Sequence, residues 1–495
     1  MAWDSARAEA RIRRHLTTAP EVAQGVALAK SFRLVELAAS ASEKFPRSRA
    51  ILVEGVHLYG QLLDFETLVA ENKRETEQSH TRVLRFLDVH YRVWDSILEE
   101  DDAIRVDYHG PRLHAVLTQP ENDPAAQIMR AIALASRLDA AVKLVGNAYG
   151  FPSRVRFGID HGSCLAMSTG RKHEKDILFL GRPANHAAKL AAEQDEAGTF
   201  LTDNARAQLS SVRPAVRGRQ VLSETIQKAS QQYRFDRVEA AASDVAKQSA
   251  SPTGFVFHRA TPPLSALNFD DLTPSNSLRM GMASLFADVD GYTNYVDNAI
   301  RKGEEAIRNA VSAIHVIREE LNSVLKEDFE GKRVRFIGDC IQGLIAAGEQ
   351  TDDAQEAVTE AALCASGMRS SFGIAKRVLG TINELDLAIG VEYGLVPLTR
   401  LGNRGSESVR CAAGLAVVRS EQLQQMIEGG GIRLGEVARG HANIEMREYF
   451  KASVPLMEYA DAVDHFQHQH SPAVQIARHE PSARPHAVVP RRFRR

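Results

Sequence analysis

The chain has 495 residues, of which 44% are hydrophobic and 25% charged, and its net charge is −2. That length exceeds one hydrophobic core and fits two domains of roughly 150–250 residues each. The near-neutral charge argues against a nucleic-acid partner. The four cysteines are scattered, no apolar run approaches the roughly 20 residues that span a bilayer, and the N-terminus lacks a signal peptide's apolar region. We therefore expect a cytoplasmic protein without direct membrane insertion.

Composition and periodicity divide the chain into five segments. They are an N-terminal helical segment, a first α/β domain, a linker rich in Ser, Thr, Pro and Asn, a second α/β domain and a disordered basic tail: 1–44, 45–246, 247–277, 278–465 and 466–495. Each domain shows the order βαββαβ, which predicts an α/β protein with a ferredoxin-like α+β core. His465, His468 and His470 could bind a metal, but histidines in a solvated tail are usually not ligands.

Four landmarks of the first domain recur in the second at a nearly constant separation. The pairs are Glu54 with Asp288, Gly110 with Gly338, Gly158 with Gly390, and Lys189 with Arg419. Any α/β chain can show this order of elements, but these landmarks agree in residue type as well. The sequence therefore predicts an internal duplication.

Two aspartates of the second domain have the surroundings of a two-metal phosphoryl-transfer site. Asp288 ends an apolar strand, and Gly291 then lets the chain turn into a helix whose first amides can cradle a triphosphate. Asp339 lies in a tight Gly-Asp turn between two strands. If these strands pair, both carboxylates reach the same end of the sheet, where hard cations such as Mg²⁺ or Mn²⁺ find the oxygen ligands they prefer.

The motifs FADVDGYT and FIGDC resemble the metal motifs of class III nucleotidyl cyclases, the family of adenylyl and guanylyl cyclases. The runs FGIDHG, IGVEYG and LFLGRPANHAAKLAA resemble further segments of that family. The resemblance covers most of both halves and implies two tandem class III cyclase-like domains. It also implies two divalent ions at Asp288, Val289 and Asp339, with Gly291, Tyr292 and Thr293 at the substrate.

In that family one domain supplies the metal aspartates, and the other supplies an Asn and an Arg that hold the ribose and the transition-state phosphate. Here the first half keeps Asn185, and Lys189 stands in the arginine position. That half shows Glu54 and Pro111 where the aspartates are expected, and proline cannot bind a cation through its side chain. In the second half Leu415 occupies the Asn position and Arg419 survives. One composite site with catalytic residues Asn185 and Lys189 follows.

The residues that read the base in purine cyclases are not matched. By the same resemblance the first half offers Asp107 and Leu178, and Tyr59 and Tyr292 could narrow the pocket for a smaller base. The chain resembles the bacterial pyrimidine cyclases of the Pycsar antiphage systems. That resemblance favours UTP as the substrate, with CTP and ATP as alternatives, and implies an antiviral second messenger, cyclic UMP.

The sequence thus predicts a phosphorus–oxygen lyase, a uridylate cyclase that forms a 3′,5′-cyclic nucleotide and pyrophosphate. Its partners are the nucleoside triphosphate and, indirectly, an effector that is often membrane-embedded, and a homodimer could form. A nucleotide-binding pseudoenzyme is the alternative from another class, although it has no need of both aspartates. A diguanylate cyclase is disfavoured because the sequence contains no G-G-[DE]-[DE]-F run.

Overall fold

A computed structural model describes the chain over residues 2–22, 49–63, 65–70, 74–151, 153–169, 176–193, 196–209, 216–233, 243, 254–403, 408–451 and 457–466. These residues form two α/β halves, each with one sheet and a pair of long helices. In both halves the four core strands lie in the ferredoxin-like order 2-3-1-4. The predicted fold class is confirmed.

The first half contains the strands β1 (Glu21–Val22), β2 (Arg49–Leu62), β3 (Ile104–His109), β4 (Arg112–Leu117), β5 (Val155–Thr169), β6 (Asp176–Leu180), β7 (Gly198–Leu201), β8 (Val216–Arg217) and β9 (Gln220–Val221). Its helices are α2 (Phe65–Val69), α3 (Glu77–Glu100), α4 (Pro124–Tyr149), α5 (Arg182–Ala192), α6 (Asp203–Gln208) and α7 (Ser223–Gln232). The sheet runs β3-β4-β2-β5-β7-β9-β8, with β1 added to β2 and β6 to β5.

The second half contains the strands β10 (Phe257–His258), β11 (Ser277–Asp290), β12 (Lys332–Ile337), β13 (Cys340–Ile345), β14 (Asp386–Leu401), β15 (Val409–Ala412) and β16 (Gly431–Leu434). Its helices are α8 (Tyr292–Lys302), α9 (Glu304–Ser323), α10 (Ala354–Leu379), α11 (Leu415–Gln425), α12 (Glu436–His441), α13 (Ile444–Tyr449) and α14 (Tyr459–Phe466). The sheet runs β12-β13-β11-β14-β15, with β10 added to β11 and β16 to β14.

The longest helices of the two halves begin and end in the same way. Asp123 caps α4 and Asp353 caps α10, each through a side-chain oxygen that accepts a backbone N–H. Gly150 and Gly380 end these helices in the left-handed conformation, which glycine adopts without steric cost. These shared capping residues support the internal duplication.

Strand register defines which residues of the two halves are equivalent, and it corrects the predicted alignment. The hairpin turn Gly110–Pro111 lies between the pair His109–Arg112, just as Gly338–Asp339 lies between Ile337 and Cys340. Pro111 therefore replaces Asp339, as predicted.

The predicted match of Glu54 with Asp288 is wrong. Gln61 pairs with Arg112 on one side and Arg156 on the other, which is the place that Asp288 holds in the second sheet. The exposed Glu54 lies much earlier on the same strand, opposite Ser163.

The matches of Leu415 and Arg419 are also wrong. Helices α5 and α11 both contain 11 residues and both follow a glycine of positive φ, so their first residues correspond. Val418 then occupies the position of Asn185, and Gln422 that of Lys189. A Cβ on Gly158 would meet the Ala187 carbonyl, and a Cβ on Gly390 would meet the Ser420 carbonyl, which gives the same correspondence.

The two halves share their hydrophobic cores. Leu165, Met167 and Leu178 of the first half belong to the core cluster of the second half. Leu401 and Cys411 of the second half belong to the core of the first. Both halves therefore fold around one another and hold a defined relative position.

The segment ends differ from the sequence expectations. The predicted N-terminal helix ends at Thr17, and α1 (Ser5–Thr17) packs on α9 and α10 of the second half. From residue 254 the predicted linker belongs to the second half, because Leu264, Phe269 and Leu272 are buried in its core.

His465 lies in α14 against Tyr449, whereas residues 23–48 and most of the tail, including His468 and His470, are outside the described residues. Within the described ranges, no helix is long and apolar enough to cross a bilayer.

Candidate active site

Asp288 and Asp339 lie next to each other at one end of the second sheet. Strand β11 pairs with β13 up to Ala287 and Ile341, so the end of β11 reaches the β12–β13 turn that carries Asp339. The backbone N–H of Val289 donates to the Asp339 carboxylate. The predicted neighbourhood of the two aspartates is thus present in the structure.

Local backbone geometry places both carboxylates. Gly338, at φ 61°, is the first residue of the two-residue hairpin turn, a position that requires a conformation favourable only for glycine. Gly291, at φ 81°, lies between the last residue of β11 and the first of α8 and is the N-cap of this helix. The first turn of α8 therefore starts directly beside Asp288 and Asp339.

The negative charges of Asp288 and Asp339 are unfavourable in these surroundings. Burial and the carboxylates of Asp290 and Glu421 raise the pKa of Asp288 to about 6, while Lys189 acts in the opposite direction. Burial and the Asp288 charge raise the pKa of Asp339 well above its ordinary value. A bound cation relieves such repulsion between carboxylates.

The first half reaches this site through α5. The side-chain amide of Asn185 donates to the hydroxyl of Thr293, which lies in the first turn of α8. Beside it, the Arg182 backbone N–H donates to the Asp297 carboxylate at 2.8 Å. Asn185 and Lys189 thus face Thr293 and Asp288 across the boundary between the halves, within one chain. We call these residues with Asp339 the catalytic cleft.

The donor set of the catalytic cleft fits hard divalent cations. It consists of two carboxylates, with no third His, Cys, Asp or Glu side chain completing a metal cluster among the described residues. Mg²⁺ and similar ions are often bound by one or two carboxylates, and substrate phosphates supply the remaining oxygens. Arg318 is fully buried on α9, its guanidinium lies 3.9 Å from the centre of the Phe336 ring, and its charge partly opposes the rise in the pKa of Asp339.

The equivalent position related by the duplication, which we call the duplicate cleft, lacks all four groups. Gln61 and Pro111 replace the aspartates, and Val418 and Gln422 replace Asn185 and Lys189. Gln422 donates to the Glu66 carboxylate at 2.6 Å, so α11 also contacts the first half. The loss is more complete than the sequence predicted, because Arg419 does not occupy the arginine position.

A partly buried ion cluster occupies the duplicate cleft. The Arg112 guanidinium donates to Gln61 at 2.7 Å and to Glu421 at 2.5 Å, and His109 lies 3.2 Å from the other Glu421 oxygen. The Arg112 and His109 charges outweigh burial and hold the pKa of Glu421 well below its ordinary value. Arg112 corresponds to Cys340 beside Asp339. Sequence reasoning missed this cluster because Arg112 and Glu421 lie far apart in the chain and no local pattern connects them.

The residues predicted to read the base lie in different surroundings. Asp107 has a side chain 39% exposed, and both its oxygens accept from Arg335 of the second half, at 3.1 and 3.2 Å. Leu178 is buried, and the Tyr59 hydroxyl contacts His114. Tyr292 is buried in the second core.

Comparison with known proteins decides the family. The adenylate and guanylate cyclase catalytic domain matches residues 58–232. A uridylate cyclase of a Rhizobium species is 44% identical over 87% of this chain and 86% of its own length. The chain belongs to the nucleotidyl cyclase family.

Two further relatives extend over almost the whole cyclase. A uridylate cyclase of Pseudomonas aeruginosa is 37% identical over 90% of both chains. The crystal structure of a class III adenylyl cyclase-like ATP-binding protein from Pseudomonas aeruginosa is 33% identical, with a TM-score of 0.82 over 94% of this chain and 99% of that one. The resemblance read from the sequence is confirmed. Members of this family use divalent metal ions.

Proposed function

We propose that the protein converts UTP to 3′,5′-cyclic UMP and pyrophosphate. One observation carries the proposal: Asp288 and Asp339 of one half meet Asn185 and Lys189 of the other in a single cleft. The names of the two uridylate cyclases support UTP as the substrate. The alternative, a nucleotide-binding pseudoenzyme, gives no reason for retaining both aspartates.

Each group of the cleft has a defined task. Asp288 and Asp339 would hold two divalent cations, Mg²⁺ or Mn²⁺, with Val289 beside them. When bound, such ions lower the pKa of the attacking ribose hydroxyl and neutralise the pyrophosphate. Asn185 positions the ribose so that its 3′-oxygen lies in line with the α-phosphate. Lys189 is exposed, its charge acts on Asp288, and it stabilises the negative charge that develops on the α-phosphate.

The start of α8 provides the triphosphate contacts. Amides that begin a helix point their N–H groups outward and favour negative charge. Gly291, Tyr292 and Thr293 form this helix start, and Thr293 is the residue that Asn185 contacts. Ribose and triphosphate are thereby held from opposite halves.

We assign base contacts to the Asp107–Arg335 pair. A carboxylate beside a guanidinium offers a hydrogen-bond acceptor next to donors. Uracil presents the matching edge, because its N3–H lies beside the O4 acceptor. The apolar Leu178 would add no polar group to this pocket, and Tyr59, in register with Asp107 through His114, would add bulk beside it, whereas Tyr292 is buried in the second core.

A product assay tests the proposal. The purified protein is incubated with each of the four ribonucleoside triphosphates and with Mn²⁺ or Mg²⁺, and the products are identified by mass spectrometry. Cyclic UMP as the main product is the expected result. Cyclic AMP or cyclic CMP as the main product would reassign the base, and no cyclic nucleotide from any substrate would remove the enzymatic function.

The product implies a receptor. We propose that cyclic UMP acts as a second messenger in antiphage defence and binds an effector, which in such systems is often membrane-embedded. Cyclic UMP should rise in cells that carry the intact gene after phage infection and stay low with an Asp339→Ala variant. Because one chain completes the cleft, a homodimer would carry two such clefts.

A further inference from the structure

The ion cluster of the duplicate cleft connects to the catalytic cleft through a single helix. Glu421 and Gln424 lie three residues apart on α11 and so share one face. Glu421 is bound by Arg112 and His109 of the first half. Gln424 donates to one carboxylate oxygen of Asp288 at 3.3 Å and is 8% exposed. One rigid turn therefore joins the two clefts.

Helix α11 is seated closely enough to transmit a displacement. A Cβ on Gly390 would lie 2.1 Å from the Ser420 carbonyl oxygen and 2.5 Å from the backbone nitrogen of Gln424. The backbones of helix and strand are therefore in close contact at this point. Ser420 also meets Ser284 of β11 at 2.9 Å. A small shift of the helix therefore alters the position of Gln424 relative to Asp288.

The corresponding face of α5 carries only small side chains. Ala188 and Ala191 occupy the positions of Glu421 and Gln424, by the same correspondence of the helices. A methyl group cannot make either contact. The polar residues on α11 are thus specific to the half that holds the metal aspartates.

We propose that Gln424 is a positioning residue for the metal ligand Asp288, and that the Arg112–Glu421–His109 cluster holds α11 so that Gln424 maintains this contact. The duplicate cleft serves as an internal clamp in which a guanidinium charge is permanently bound. A hydrogen bond to one carboxylate oxygen leaves the other directed to the cation and fixes the orientation of the ligand.

Binding of Mn²⁺ alone tests the proposal, measured from the electron paramagnetic resonance signal of free Mn²⁺. Loss of contacts that orient a ligand typically weakens metal binding about 10–100-fold. We expect Gln424→Ala to weaken Mn²⁺ binding about tenfold. Gln422→Ala is the matched control on the same helix, since Gln422 contacts the first half but not Asp288. Its affinity should equal that of the unmodified protein.

Two clamp variants separate positioning from simple charge. Glu421→Gln removes a negative charge and Arg112→Met a positive one, so an electrostatic effect on Mn²⁺ would have opposite signs. Loss of the clamp weakens binding in both. If Arg112→Met does not fold, Arg112→Lys keeps the charge without the planar fork and should weaken binding less. The double variant Glu421→Gln/Gln424→Ala should bind Mn²⁺ as Gln424→Ala does, because both changes act through one contact.

The proposal rests on the two-metal function proposed above, but the outcomes are distinct. Unmodified protein that binds Mn²⁺ and forms no cyclic nucleotide contradicts the cyclase function and leaves the positioning intact. Unchanged Mn²⁺ affinity in folded Gln424→Ala overturns the positioning role, whatever the activity. Opposite shifts in the two clamp variants overturn the clamp.

Discussion

The catalytic cleft and the duplicate cleft occupy equivalent places in two halves with the same strand register, and they differ in how buried charge is balanced. In the catalytic cleft, Asp288 and Asp339 raise the local negative charge, and Lys189 approaches from the other half. In the duplicate cleft, Arg112 already supplies the positive charge and Glu421 binds it. The first arrangement leaves an excess of negative charge, which a bound cation would balance, whereas the charges of the second pair with each other.

This difference shows how a duplicated site can lose its chemistry without loss of the fold. Leaving a carboxylate buried without a partner is strongly destabilising. The first half has Pro111 at the position equivalent to Asp339 and Gln61 at the position equivalent to Asp288. Without the two carboxylates, this half has no unpaired negative charge for a metal ion to balance. The partly buried ion cluster at the equivalent place joins Arg112 and His109 of the first half to Glu421 of the second. In our proposals the catalytic cleft carries the chemistry and the duplicate cleft maintains the alignment of the halves.

The largest expected effect comes from the hairpin-turn residue that differs between the two clefts, Asp339 in one and Pro111 in the other. Asp339→Ala removes a proposed metal ligand and should lower kcat by at least about 10³-fold, or about 4 kcal/mol of transition-state stabilisation. Pro111→Ala changes the equivalent turn residue of the duplicate cleft and should leave kcat within about threefold. Cyclic nucleotide formation at saturating Mn²⁺ measures both. Equal losses in the two variants would end the distinction between the clefts.

The contribution of the first half can be tested on α5. Lys189→Met should lower kcat about 10²-fold, because the transition-state charge loses its partner. Asn185→Ala should lower kcat more than it weakens binding of the triphosphate. Val418→Ala, at the position that corresponds to Asn185, is the control and should keep full activity. A loss seen only in KM would assign Asn185 and Lys189 to ground-state binding instead.

The number of nucleotide analogues bound per chain compares the two clefts without any reaction taking place. A non-reactive analogue such as α,β-methylene-UTP, titrated calorimetrically with Mn²⁺, should bind once per chain, because Arg112 and Glu421 fill the duplicate cleft. A Gln61→Asp/Pro111→Asp variant should still bind once, since Val418 and Gln422 lack the groups that hold ribose and phosphate. Two bound analogues per chain would show that the duplicate cleft is open.

The sequence predicted that Asp288 and Asp339 are neighbours because the signals for their placement are local. A strand that ends in Asp288 and a Gly-Asp turn each place a carboxylate through backbone geometry within a few residues. The duplication was also readable, since turn glycines such as Gly110 and Gly338 recur. These features depend on short-range rules of turns and helix starts.

The residues of the duplicate cleft were predicted less well, because the two halves were aligned by a nearly constant separation in residue number. Connections between elements differ in length, so the offset between equivalent residues grows along the chain from Gln61 and Asp288 to Gly181 and Gly414. Only hydrogen-bond register shows that Gln61, not Glu54, takes the place of an aspartate. Contacts between distant segments, such as Arg112 with Glu421, leave no mark in either local pattern.

The smallest expected effect concerns the pH dependence of the clamp. Because Arg112 and His109 hold the pKa of Glu421 below its ordinary value, this carboxylate binds fewer protons in the folded state than in the unfolded state. Its stabilisation is complete above the unfolded pKa, about 4.5, and is lost as the pH falls below it. Urea unfolding should therefore show Glu421→Gln less stable than the unmodified protein at pH 7, with the gap narrowing as the pH falls through about 4. Gln422→Ala should show no such convergence, and a gap that stays constant with pH would mean that Glu421 stabilises the halves by packing rather than by its charge.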